Sequence, residues 1–199
     1  MIRRPPRSTQ GVSSAASDVY KRQMDLDEWI FAQTQIKTMK AYLSGAMEFA
    51  KNEGASWREE MTFWLDRKLA HSVYNPVVES QSIMKEYNAE DYREWKNSDS
   101  KKYANFIRVC VDRDIKAVRN SVDYLICLWD ESVFKGAGTH AEVTLAYDCK
   151  KPVYLINKIG VSDLSGWIMA CSSEIFTDFD ELKLFLLDQY SSELADTAK

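Results

Sequence analysis

The sequence predicts an α/β fold in which a parallel sheet is covered by helices on both faces. The clearest unit is residues 121–156, where an apolar run ending at Trp129 precedes a glycine-rich turn, a helical segment and a second apolar run. Strands that alternate with helices in this way are typical of parallel sheets. Ligands bind such sheets beyond the carboxyl ends of the strands, where we expect Glu142 to lie in the first turn of a helix.

Length and composition indicate one domain without metals or disulfides. The 199 residues can bury a single core, and a net charge of −4 gives no support to binding of a nucleic-acid polymer. No apolar run approaches the roughly 20 residues of a membrane span. Four scattered cysteines and two histidines argue against a zinc site. We therefore expect no metal, no cofactor and no membrane partner, in a cytoplasmic protein with reduced thiols.

The first 23 residues differ in composition from the rest. They hold five basic residues and one acid, a charge of +4. Because the whole chain carries −4, residues 24–199 carry −8. The stretch is compatible with a transit peptide, a disordered tail or the translated remnant of a sequencing adaptor, and we favour the last. We expect a leading helix over 24–39, a single domain over 40–190 and a disordered tail over 191–199.

The first predicted strand is Lys40–Ser44, which ends at Gly45. The helix that follows carries apolar residues at helical spacing. Ser56, with Glu59 three residues later, matches the capping box that begins many helices. We therefore expect Ser56 to cap this helix, after a loop that leaves the carboxyl end of the first strand.

The middle of the chain is predicted to be largely helical. Residues His71–Val78 form a second strand interrupted at Asn75-Pro76. Residues 79–97 carry no strand pattern, which is compatible with a helical excursion or with a lid over the pocket. Residues Ser98–Asn120 continue as a helix and lead to the next strand.

The last part of the chain repeats the alternation. We expect a strand at Asp123–Trp129, a helix at Thr139–Cys149, a strand at Val153–Ile156, a loop at Gly160–Gly166, a short strand at Glu174–Phe176 and a closing helix at Asp178–Tyr190. Five strands joined by right-handed crossovers predict a doubly wound, flavodoxin-like sheet of order 2-1-3-4-5.

Three segments carry the functional prediction: Tyr42-Leu43-Ser44-Gly45, Asp112-Arg113-Asp114 and the run from Gly136 to Glu142. Their order and spacing resemble the nucleoside 2-deoxyribosyltransferase family, whose relatives include N-glycosidases that hydrolyse nucleoside 5′-monophosphates. The resemblance covers about residues 40–186. It implies an enzyme that cleaves the N-glycosidic bond of a (deoxy)nucleoside or nucleotide, and a homo-oligomer whose sites borrow a loop from a neighbour, for which Ser165, Trp167 and Ser172 are candidates.

The resemblance also implies residue roles. It places the nucleophile on Glu142, the acid beside the base on Asp114, and the tyrosine that orients the nucleophile on Tyr42. A sugar-contacting aspartate of some members falls on Gly136, a departure that leaves the preference for ribose or 2′-deoxyribose open. Asp130, the nearest acid at the end of the preceding strand, is the candidate replacement.

These residue types suit the chemistry. A carboxylate near C1′ stabilises the positive charge of the transition state and can form a glycosyl ester. A second acid can protonate the departing base. A helix dipole would favour the Glu142 anion, although an acid at a helix start can also serve the dipole alone. Gly136 and Gly138 would let the backbone approach the substrate closely.

The loop after the first strand offers a candidate 5′-phosphate site in Ser44, Lys51, Ser56 and Arg58. Alternatively, Arg58 forms a surface ion pair with Glu59 or Asp66. If a second base captures the glycosyl group the chain is a transferase, and if water does it is a hydrolase; a catalytically silent nucleotide-binding module is the further alternative. The candidate substrate-binding residues are Ser44, Gly45, Arg58, Asp130, Gly136, Gly138 and Thr139.

Overall fold

The computed structural model describes residues 38–196, with side chains up to residue 190, and this part forms five strands and seven α-helices. The strands are β1 (Lys40–Gly45), β2 (Ser72–Tyr74), β3 (Tyr124–Trp129), β4 (Val153–Asn157) and β5 (Glu174–Phe176). The helices are α1 (Ala55–Leu69), α2 (Pro76–Tyr87), α3 (Tyr92–Ser98), α4 (Ser100–Asn120), α5 (Gly138–Asp148), α6 (Gly166–Cys171) and α7 (Phe179–Asp196). The predicted leader and nearly all of the predicted leading helix lie outside the described residues.

All five strands run parallel in the order β2-β1-β3-β4-β5, which confirms the predicted flavodoxin-like sheet. β1 therefore lies between β2 and β3, and the chain crosses from one side of β1 to the other on its way to β3. This reversal is the point at which open sheets of this type leave a crevice beyond the strand ends.

Alternate residues of each strand face opposite layers of helices. On one face, Tyr42 and Leu125 belong to a core that α4, α5 and α6 cover. On the other face, Leu43 and Ile126 belong to a core that α1 and α7 cover. A third, smaller cluster lies within the excursion formed by α2, α3 and α4, and its buried members are Ile83, Ala89, Trp95 and Phe106.

The predicted capping box at Ser56 is wrong. α1 begins at Ala55, so Ser56 lies inside the helix, and the residue before the helix is Gly54 in a left-handed conformation (φ 68°). Asn52 and Glu53 before it also have positive φ angles, 51° and 52°. The chain therefore turns sharply into the helix, and no side chain caps it.

The second strand is shorter than predicted, because it ends at Tyr74 and the residues beyond it are helical. Pro76 is the first residue of α2, where its missing N–H costs nothing. The Asn75 side chain accepts a hydrogen bond from the Val77 N–H at 3.1 Å and caps the helix. Residues 79–97 are thus a helical excursion, made of α2 and α3.

Two further differences concern helix ends. The six-residue helix α6 begins at Gly166, where the sequence predicted the end of a loop. α7 continues to Asp196, into the predicted disordered tail, because no glycine or proline ends it after Tyr190. None of the described helices is long and apolar enough to cross a membrane. The described residues also contain no group of three His, Cys, Asp or Glu side chains placed to hold a metal ion.

The central strands are expected to dominate stability. Leu125 in β3 is fully buried, and its replacement by alanine should destabilise the fold by about 2–5 kcal/mol through lost burial and a residual cavity. The same substitution at Leu184, which is 69% exposed, is the matched control and should change stability by less than about 0.5 kcal/mol. Urea denaturation measures both, and equal losses would contradict the assigned core.

Candidate active site

Two stacked tyrosines lie beneath the two acids of the candidate site and hydrogen-bond to them. Tyr42 of β1 and Tyr74 of β2 occupy paired positions in the parallel register. Their rings stack with centroids 5.0 Å apart and planes 13° from parallel. The Tyr42 hydroxyl donates to Glu142 and the Tyr74 hydroxyl donates to Asp114, so that the strand register places the donors of both acids side by side.

The first acid is Glu142 of α5. The Tyr42 hydroxyl donates to Glu142 Oε1 at 2.9 Å, and the Ser44 hydroxyl donates to Oε2 at 2.5 Å. Both donors come from β1, two residues apart, and therefore point to the same face of the sheet. The two hydrogen bonds fix the carboxyl group against the carboxyl end of β1.

The second acid is Asp114 of α4. The Tyr74 hydroxyl donates to Asp114 Oδ1 at 2.9 Å. Burial raises the pKa of Asp114 to about 7, and the nearby charge of Glu142 contributes to the same shift. Asp114 is therefore partly protonated near neutral pH, which suits a group that donates a proton.

Burial also raises the pKa of Glu142, while the hydrogen bonds from Ser44 and Tyr42 and the charge of Arg58 oppose the rise. The expectation that a helix dipole keeps Glu142 ionised is not supported, because α5 begins at Gly138 and has no acid in its first turn. Glu142 lies one turn further in. Helical side chains point back toward the N-terminus, so its carboxyl group still reaches the strand ends.

A cavity of about 240 Å³ lies beyond the end of β1, between the loop that follows it, the excursion and the start of α5. Helices α2, α3 and α4 contribute apolar walls that include Ile83, Tyr92 and Ile107. A larger, open and mostly apolar cleft of about 710 Å³ between α4 and α5 shares Asp114 and Glu142 with it. The predicted site residues that line the smaller cavity are Gly45, Asp114, Gly136, Gly138, Thr139 and Glu142.

The glycines of the turn before α5 leave room in this cavity. A β-carbon added to Gly136 or Gly138 would meet no atom within 4 Å. The open space lies over the main chain, which agrees with the expectation that a ligand could approach it closely. Tyr42 and Ser44 do not line the cavity, since they lie behind the Glu142 carboxyl group that they hold.

Arg58 is neither a phosphate ligand nor half of a surface ion pair. Its side chain is fully buried. Nε donates to the Leu43 carbonyl at 3.0 Å, and Nη2 donates to the Gly45 carbonyl at 2.8 Å. Nη1 donates to the carbonyls of Glu53 and Gly54 at 2.9 and 3.1 Å. Lys51 and Ser56, the other residues of the predicted phosphate site, are exposed and do not line the cavity.

Asp130 also lies elsewhere than predicted. Its Oδ1 accepts from the Ser132 N–H at 2.9 Å and caps a short 3₁₀ turn at Glu131–Lys135. It is not among the residues that line either cavity. Asp130, the predicted replacement for the aspartate absent at Gly136, therefore caps the 3₁₀ turn that follows it.

Sequence reasoning missed Tyr74. A tyrosine next to Asn75-Pro76 reads as the last residue of a strand, and only the pairing of β2 with β1 places it beside Tyr42. The signal that could have found it is its position in the sheet. Once β2 pairs with β1, Tyr42 and Tyr74 lie side by side on one face.

No protein-family model matches the sequence, and a search of the curated proteins finds no match. The resemblance to the nucleoside 2-deoxyribosyltransferase family stays a prediction. Function is therefore inferred from the residues and their geometry.

Replacement of Asp114 by asparagine should stabilise the protein at pH 8. Because the folded pKa of about 7 lies above the unfolded value, the stability that this group contributes is present at low pH and lost as pH rises through 7. Asparagine keeps an oxygen for Tyr74 but carries no charge, so we expect a gain of about 2 kcal/mol at pH 8 and nearly none at pH 4. Urea denaturation at both pH values measures it, and a loss at pH 8 would contradict the assignment.

Proposed function

We propose that the chain is an N-glycosyl transferase or hydrolase of the nucleoside 2-deoxyribosyltransferase type, which cleaves the N-glycosidic bond of a (deoxy)nucleoside or nucleotide. The observation that carries this is the pair of carboxyl groups at one cavity: Glu142 held by Ser44 and Tyr42, and Asp114 held by Tyr74. The different surroundings of the two acids suit one for nucleophilic attack and the other for proton transfer.

In the first step, a Glu142 carboxylate oxygen bonds to C1′ while the bond from C1′ to the base nitrogen breaks. The electron pair of that bond leaves with the base, which takes the proton of Asp114. The products are a glycosyl ester of Glu142, a neutral base and the Asp114 carboxylate. The covalent ester divides one difficult displacement into two easier ones.

In the second step, an acceptor attacks C1′ and the ester bond breaks, which returns the electron pair to Glu142. Asp114 takes the proton that the acceptor loses. A second nucleobase as acceptor gives transfer, and water gives hydrolysis. The mostly apolar cleft between α4 and α5 suits a flat base, whether as part of the substrate or as the acceptor.

The decisive experiment compares wild type with Glu142→Gln. Wild type is incubated with a deoxynucleoside or its 5′-monophosphate, with and without an acceptor base, and products are separated by liquid chromatography. We expect Glu142→Gln to lose base release by at least about 10³-fold, since the amide cannot form the ester. Glu174→Gln, an exposed acid on β5, is the matched control and should retain activity.

The products also separate the alternatives. A new nucleoside that forms only with acceptor indicates a transferase, and free base released at the same rate with or without acceptor indicates a hydrolase. Tight nucleotide binding without base release, unchanged in Glu142→Gln, would indicate a silent binding module and contradict the proposal. Light scattering tests the expected homo-oligomer.

The rate should also depend on the protonation of Asp114. Because Asp114 must carry a proton to neutralise the base, base release should fall as pH rises through about 7. Asp114→Asn should lower the rate about 10²-fold or more and remove this limb of the pH profile. Asp112→Asn, exposed on the same helix, is the control. An unchanged limb in Asp114→Asn would assign the titration to another group.

A further inference from the structure

The most unusual charged group near the site is Arg58. Its guanidinium is fully buried, yet the described part of the chain places no carboxylate within ion-pair distance of it. Its four hydrogen bonds go to main-chain carbonyls, and its plane lies against Trp57, 4.6 Å from the ring centroid. A buried charge is costly unless something in its surroundings benefits from it.

The main-chain groups that Arg58 binds flank the residue that holds Glu142. β2 ends opposite Tyr42, so the last three residues of β1 have no neighbouring strand on that side. Arg58 donates to the carbonyls of the first and last of these, Leu43 and Gly45. Ser44 lies between them and donates to Glu142. The planar guanidinium thus holds the carbonyl groups of the residues before and after the serine.

The same side chain closes the loop that follows. Its bonds to Glu53 and Gly54 hold the sharp turn into α1, and a β-carbon on Gly54 would lie 2.5 Å from Arg58 Nη1. A single cation therefore joins the end of β1 to the start of α1. A lysine could supply the charge, but its three donors cannot bridge four carbonyls in one plane.

We propose that Arg58 is the positioning residue of this site, which aims Ser44 at Glu142 and supplies the positive charge against which the Glu142 carboxyl group ionises. The electrostatics agree, because the charge of Arg58 opposes the rise in the pKa of Glu142 that burial causes. The consequence for catalysis rests on the proposed function, whereas the effect on Glu142 itself does not.

The test is a titration of Glu142 in the protein without substrate. Labelling the glutamate side-chain carboxyl groups with ¹³C gives one NMR signal for each glutamate. The signal that disappears in Glu142→Gln belongs to Glu142. In Arg58→Met we expect the ionisation constant of Glu142 to fall about tenfold or more. Arg67→Met, an exposed arginine of the same helix, is the matched control and should leave it unchanged.

Two further variants separate the charge from the hydrogen bonds. Arg58→Lys keeps the charge but not the four bridging hydrogen bonds, so the ionisation constant of Glu142 should fall, but less than in Arg58→Met. Ser44→Ala keeps Arg58 and removes the hydrogen bond that Arg58 positions, so the ionisation constant of Glu142 should fall in this variant as well. An Arg58→Met protein that is less stable but ionises Glu142 normally would overturn the proposal.

If Arg58→Met does not fold, Arg58→Lys decides the question. A folded lysine variant in which Glu142 ionises more weakly than in wild type supports the positioning role of the guanidinium, and one that ionises Glu142 as wild type does overturns it. In kinetics, the acidic limb of kcat/KM should move to higher pH in Arg58→Met. A wild type that releases no base would refute the proposed function, while the titration would still decide the role of Arg58.

Discussion

The site depends on one buried interaction, the two hydrogen bonds from Ser44 and Tyr42 to the Glu142 carboxyl group. A carboxylate taken out of water loses solvation that only donors and nearby positive charge can replace. Both donors belong to the end of β1, so that strand must stop at a fixed place and orientation. The surrounding fold meets this demand through the strand register on one side and Arg58 on the other.

The stacked pair Tyr42 and Tyr74 explains how two similar acids acquire different properties. The tyrosines belong to neighbouring strands, and each holds one carboxyl group. Glu142 receives a second donor and the influence of a buried cation, whereas Asp114 accepts from Tyr74 and lies near the adverse charge of Glu142. Burial raises the pKa of both carboxyl groups, that of Asp114 to about 7, which suits proton transfer at neutral pH.

Much of the fold follows from local pattern. The apolar runs at β3 and β4 can be buried only as strands covered on both faces, and the helical spacing between them determines the crossovers. The errors occur where tertiary contacts override local signals. The helix begins after a left-handed turn at Gly54 and not at the predicted Ser56 capping box, because the buried Arg58 binds the carbonyls of that turn.

The sequence by itself determined the parallel sheet, its order and the place of Glu142 near the strand ends, because periodicity and segment order are properties of neighbours along the chain. Asp114 was assigned to the site only by the resemblance to a family. Only the tertiary structure decided that Tyr74 holds Asp114, that Arg58 binds main chain rather than phosphate, and that Asp130 caps a turn. Those outcomes depend on which backbone groups lack partners once the strands have paired, and nothing in the local sequence records that.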